Sequence, residues 1–242
     1  MDKMKKMKRF SSYLVLAFIL CGVFVVGRVA LARPSIDSRS FPVGEAHKAR
    51  IEIHFGAGQL NVSGGSVELA ETEFDYSNPR WRPEVTHSTT GGEGYLLLQH
   101  PTTLLGFFHL GPIRNAWDIK LNNTLPIELS IKMGAGRSNL KMGWLNLQNL
   151  DIKGGAGELV LDLTGRWNTN CIINVEMGVG SLHLILPDKA GVRLHPQTGI
   201  GTIDTGPLIQ QNDAYINRHF EEADVILDIS LKSGIGPVTV EQ

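Results

Sequence analysis

Three carboxylates fall in or beside strongly apolar stretches of this 242-residue chain: Glu158, Glu176 and Asp204. Two carboxylates a few ångströms apart are what glycoside hydrolysis requires, one as acid and one as base or nucleophile. A tighter cluster would hold a divalent cation. These three stand at different distances from their nearest glycine phrase, and none has a carboxylate neighbour in sequence. They read as charges on a solvated face, with a carbohydrate-active parallel β-helix enzyme as the alternative. The histidines are scattered, with His54, His87, His100 and His109 in the first half and His183 and His195 later. No pair has the H-x-x-x-H spacing of a metal-binding helix. Cys21 lies in the N-terminal apolar segment and Cys171 stands alone in the remainder. One thiol makes neither a disulfide framework nor a cysteine metal site, and Cys171, on an apolar run, reads as buried and unreactive. No serine or threonine sits in a nucleophile-elbow context. The sequence assigns no catalytic residue, no metal ligand and no cofactor.

The elements that would position any of these groups are announced by a repeated phrase. Gly56-Ala57-Gly58-Gln59-Leu60-Asn61-Val62 is its first appearance, and it returns from Gly134, Gly155, Gly178, Gly199 and Gly234. The middle spacings are 21, 23 and 21 residues. A G-x-G of this kind could suggest a nucleotide site, but that site needs a helix after the glycines, and here alternating strand patterns follow. A period of this length marks one supersecondary unit that must stack on its neighbours to bury its apolar face. Two residues past the second glycine stand Leu60, Ser138, Leu159, Leu182, Ile203 and Val238; four past stand Val62, Leu140, Leu161, Leu184, Thr205 and Val240. Between them stand Asn61, Asn139, Val160, His183, Asp204 and Thr239. The apolar–polar–apolar split is that of a pleated strand with one buried face. No stretch keeps a 3.6-residue period, and the one helical hint, Asp213 to Glu222, is weak. The fold expected is all-β, a β-solenoid of stacked β-helix-like coils following an N-terminal hydrophobic segment.

The N-terminus has the grammar of an export signal. Lys3, Lys5, Lys6, Lys8 and Arg9 precede the apolar run Tyr13 to Gly27, and Ala30-Leu31-Ala32 offers a cleavage site. Residues 1–32 read as a signal peptide or a retained anchor. Bulky Phe18-Ile19-Leu20 before Cys21 argues against lipidation. Either way the body is extracytoplasmic, secreted or tethered to the cytoplasmic membrane. A formal net charge of -1 gives no reason to expect nucleic acid as a partner. Residues 33–45 read as a polar linker, and Glu71 to Val85, with Pro79 and Pro83, as an edge or loop. The solenoid is expected over 46–242, its first end capped by the Glu71-to-Asn115 region. Its terminal strand near Val238 to Val240 is expected to pair with an early strand or with a partner. One segment, about 101–115, fits no unit. Its Leu104, Leu105, Phe107, Phe108 and Leu110 form the candidate interaction patch for a protein partner or for self-association.

Ile51 to Val67, the approach from Trp117 to Leu129, Gly134-Ala135-Gly136 through Leu150, and Gly155-Ala156-Gly157 onward resemble the toast-rack family. That family is itself similar to adhesin-like and cell-wall-antibiotic-response domains of bacterial envelope proteins. The resemblance spans about Glu45 to Gln242. It implies a stacked β-solenoid outside the cytoplasmic membrane, and relatives that act in envelope-stress signalling. The family defines no catalytic residues, so none is carried over. The function expected is a non-enzymatic envelope module for interaction, adhesion or stress sensing.

Overall fold

The computed structural model describes residues 35–101 and 114–242. The signal or anchor segment and the patch Leu104, Leu105, Phe107, Phe108 and Leu110 lie outside the described residues. The strands are β1 (Ser35–Phe41), β2 (Lys48–Ser66), β3 (Ala70–Tyr76), β4 (Glu84–Thr90), β5 (Glu93–Gln99), β6 (Asn115–Asn122), β7 (Ile127–Lys141), β8 (Leu147–Asp162), β9 (Cys171–Ile185), β10 (Gly191–Ile200), β11 (Ile203–Asp204), β12 (Ile209–Gln211), β13 (Ala214–Ile216), β14 (Ile226–Ile235) and β15 (Val238–Glu241). All belong to one sheet. No α-helix occurs among the described residues, and Asp213 to Glu222 forms β13 followed by turns.

The long strands are two arms joined at the glycine phrase. In β7 the buried residues before the corner are Ile127, Leu129 and Ile131, and after it Ser138 and Leu140. A straight strand keeps one parity for its inner face. The change from odd to even numbers shows that Gly134-Ala135-Gly136 turns the chain so that both arms face one core. The same switch occurs in β8, from Leu150 and Ile152 to Leu159 and Leu161, and in β9, from Ile173 and Val175 to Leu182 and Leu184. Parallel pairing then stacks like on like: Leu96, Ile51, Leu129, Leu150, Ile173, Ile229 and Leu194 form one ladder across seven coils. Each is essentially solvent-free, and each such side chain contributes roughly 1.5–3 kcal/mol. The three offsets from the glycines fall as expected, apolar sets inward and the Asn61–Asn139–Val160–His183–Thr239–Asp204 row outward, in continuous register. Cys171 is buried beneath this sheet, and desolvation, with the nearby Asp151 charge adding to it, pushes its thiol up to about 12.

Coil order in space is not coil order in sequence. β7, β8 and β9 follow one another, but β2 lies between β7 and the coil made by β5 and β6, and β14 enters between β9 and β10. The 21-residue step from Gly178 to Gly199 therefore joins coils that do not touch, because Gly234 sits between them. The strand near Val238 to Val240 is likewise internal. β15 pairs with β9 on one side and, at Val238 and Thr239, with β11 on the other, not with an early strand.

The first end is closed by antiparallel strands, β4 on β5 and β3 on β6, with β1 outside β3. Two expectations change here. The supposed linker contains β1, and Glu71 to Tyr76 lies within β3, flanked on both sides; the 3₁₀ turn Pro79–Trp81 comes only afterwards. β1 escapes a pattern reading because its polar residues alternate without an apolar face, and Phe41 is its buried hydrophobic. What holds it is the backbone ladder and a polar knot. Arg39 Nη2 donates to Asp37 Oδ2 at 2.6 Å, Arg39 Nε to Oδ1 at 3.1 Å, and Arg82 Nε to Oδ2 at 3.2 Å.

The Arg39 hydrogen bonds hold the Asp37 carboxyl below its ordinary 3.8, against the opposing effect of burial, and the Arg39 and Arg82 charges assist. A lowered native pKa means stability that is complete above about pH 4 and is lost as pH falls through the native value. Asp37→Asn is expected to cost about 1–2 kcal/mol at pH 7 and to flatten the stability profile between pH 4 and 2. Urea denaturation across that range checks both.

Candidate interaction surface

The corner of each coil is an outward-facing edge, and its residues are set by contact between backbones. A methyl group on Gly136 would lie 2.0 Å from the Gly58 carbonyl oxygen, and one on Gly157 1.9 Å from that of Gly136. These second glycines also have φ near +130°, so both crowding and backbone conformation exclude a side chain. The residue between the glycines has no such constraint and points into solvent. Through the register, Ala57, Ala135, Ala156, Val179, Ile235 and Ile200 form one row along the corner. Strand spacing makes that row roughly 24 Å long. Its last three members are 50%, 48% and 70% exposed. Three branched apolar side chains on consecutive coils make a contiguous apolar ridge where solvent-facing turns are ordinarily polar.

The first coil has no glycine phrase of its own at this edge. β5 pairs with the first arm of β2 and β6 with the second, so the corner of this coil falls between the end of β5 and the start of β6. The His100 N–H donates to the His54 carbonyl at 2.8 Å, and its ring packs where a side chain at Gly56 would go. Burial lowers the His100 pKa, against the opposing effect of a hydrogen bond to the Pro101 carbonyl. On the return side, Asn115 Nδ2 donates to the Ala57 carbonyl at 2.7 Å. His100 and Asn115 thus both stand beside the first members of the corner row.

The residues considered for chemistry are not brought together. Glu158 lies on the second arm of β8 against Arg137, with Nε to Oε2 at 2.9 Å. Glu176 lies on the first arm of β9 between Lys153 and Lys232. Asp204 on β11 accepts from the Gly206 N–H. Each carboxylate has its own partner on a solvated face. His183 faces Glu241 at 3.1 Å and His195 faces Asp228 at 3.7 Å. Among the described residues no group of three His, Cys, Asp or Glu could hold a metal ion. Sequence reasoning placed the apolar patch in the insertion and overlooked the ridge. The signal was present: Val179, Ile200 and Ile235 occupy a turn position where Ala57, Ala135 and Ala156 show that size is unconstrained.

No curated protein matches this chain. Among solved structures, a proposed cell adhesion protein from Clostridium sporogenes ATCC 15579 superposes with a TM-score of 0.82 at 28% identity, covering 87% of this chain and 100% of that one. A proposed adhesin from Bacteroides fragilis NCTC 9343 gives a TM-score of 0.30 at 12% identity, covering 85% of this chain and 97% of the other. The family described as the N-terminal domain of toast_rack, DUF2154, matches residues 32–185, from the strand that caps the first end through β9. That match takes in more than half of the chain, and the protein belongs to the toast_rack family.

Proposed function

We propose that this chain is an exported, non-enzymatic envelope module that binds a protein partner, or a second copy of itself, through the apolar corner of its coils. The observation that carries the reading is the ridge of Val179, Ile235 and Ile200, held in solvent by a rigid column of backbone contacts. Support comes from the likeness, over 87% of this chain, to a protein proposed to act in cell adhesion. Export is supported by the basic and apolar pattern of residues 1–32.

The test is a triple substitution, Val179→Glu, Ile235→Glu and Ile200→Glu. All three side chains are already about half exposed or more, so the fold is expected to survive with a small change in stability. Chemical cross-linking in intact envelopes and sedimentation of the purified protein are expected to show partner capture or self-association in the wild type. The triple variant is expected to lose it by at least about tenfold, a 1.4 kcal/mol effect. Equal association by a folded variant removes the ridge as the binding surface. Digestion of the body by protease added to intact spheroplasts, with a cytoplasmic marker protein protected, is the expected signature of a body exported and still tethered.

A further inference from the structure

A second feature lies away from the glycine corner, where the return turns close the coils. Of the four tryptophans, Trp81, Trp117 and Trp167 are buried, whereas Trp144 is 66% exposed. Its place in the alternating pattern suggests a core residue; in fact it stands on the turn between β7 and β8. It lines an open cleft of about 700 Å³ together with Arg166, Trp167, Asp188, Lys189 and Asp224. The volume is within the ~300–1,000 Å³ typical of small-molecule sites.

The edge of the indole lies close against the next turn. Gly165, on the next turn, has φ +126°, and a Cβ there would lie 3.1 Å from Trp144 Nε1 and 2.7 Å from the Gly143 carbonyl oxygen. Absence of a side chain at 165 is what lets the ring rest across the neighbouring coil. Trp167 Nε1 donates to the Leu163 carbonyl at 2.8 Å, so that indole's polar group is consumed within the coil.

We infer that this cleft binds a neutral oligosaccharide, with a pyranose ring stacked on Trp144. A pyranose has an apolar C–H face and a hydroxyl rim. An exposed flat indole suits the face, while Asp188 and Asp224 accept from hydroxyls and Arg166 and Lys189 donate to them. The two carboxylates and two cations cancel, which disfavours both anionic and cationic ligands and leaves a neutral polar one. Four charged side chains around the cleft disfavour a wholly apolar ligand, which would leave them desolvated and unpaired. The open form of the cleft suits a chain passing through, not a buried monomer. The inference is independent of the ridge, because it uses different residues on a different part of the coil.

Full-length protein in mild detergent, titrated with chitohexaose and with cellohexaose, tests it. Trp144 is the exposed tryptophan, so its stacking is read directly as a saturable blue shift of intrinsic fluorescence, with calorimetry as the second readout. At least one of the two sugars is expected to bind. Trp144→Ala is expected to weaken it by about tenfold or more and Trp144→Phe by only about threefold, with circular dichroism unchanged in both. Asp224→Ala is expected to weaken binding by about three- to tenfold. No shift and no heat with either sugar overturns the inference. So does undiminished binding by folded Trp144→Ala, or saturation of the cleft by a neutral decapeptide but by neither sugar.

Discussion

Gly157→Ala is expected to destabilise the body by about 3–5 kcal/mol, a loss that few single methyl groups produce. Two effects act together. The residue sits at φ +134°, where an L side chain is strained by about 1–3 kcal/mol. Its new Cβ would also lie 1.9 Å from the Gly136 carbonyl oxygen and 2.9 Å from the Gly136 nitrogen. Neither obstacle is a flexible side-chain tip; both are backbone atoms of the adjoining coil. Relief requires separating β7 from β8 at the corner, where Ala135 pairs with Ala156 and Gly136 with Gly157. Those pairs are flanked on both arms by the Ile131–Ile152 and Leu140–Leu161 contacts, which would open with them. Ala156→Val is the control. It adds more atoms one residue away, but in the outward row, where its neighbour on β9 is already Val179. Its effect is expected to stay within about 0.5 kcal/mol. Urea denaturation of the three proteins measures the difference, and equal midpoints for Gly157→Ala and wild type would refute the stacked-corner account.

The phrase that makes this prediction possible was legible from the chain alone, and so was the inner face. Strand periodicity places Leu159 and Leu161 inside and Val160 outside, and the structure places them so. The order of the coils was not legible, and there is a physical reason. Each coil offers its neighbour the same inward set and the same glycines, so Leu182 can stack on Val238 as readily as on Ile203. Local pattern does not choose between them. The choice rests on the long connection through β12 and β13, which returns the chain so that β14 enters beside β9. β1 was missed for the opposite reason. Its stabilising groups are Asp37 and Arg39, which in sequence look like linker residues and in space form an ion pair with Arg82 nearby. The candidate surfaces were the least legible. Val179, Ile200 and Ile235 look like core residues by type, and Trp144 looks like a core residue by position. Their place between the phrase glycines hints that the first three are turn residues, but the register is what sets them in one row on consecutive coils, and the stacking of turns is what lifts the fourth into solvent.

Trp117→Ala is expected to cost about 3–5 kcal/mol and to act locally on the first end of the stack. Trp117 is fully buried on β6, where the parallel coils meet the antiparallel cap. Its ring meets Phe55 of β2 edge-on, with centroids 5.2 Å apart, and Phe74 of β3 at 5.1 Å. Arg39 of β1 lies over the Phe74 ring, 5.5 Å from its centroid. One side chain therefore joins the first coils to β3 directly and, through Phe74, to β1. Nε1 also donates to Asn115 Oδ1 at 3.1 Å, and that bond orients the amide whose Nδ2 holds the Ala57 carbonyl. Removing the indole leaves a cavity between three strands and a buried amide oxygen without its donor, two costs that add. Trp117→Phe keeps part of the volume but loses the bond, and is expected to cost about 1.5–3 kcal/mol. In a stacked array each coil is stabilised chiefly by its immediate neighbours. The loss is therefore expected to appear in hydrogen exchange as faster opening of β1, β3 and β6, while β9, β14 and β10 keep most of their protection. Uniform loss of protection along the whole stack would show instead that the cap and the coils unfold as one unit.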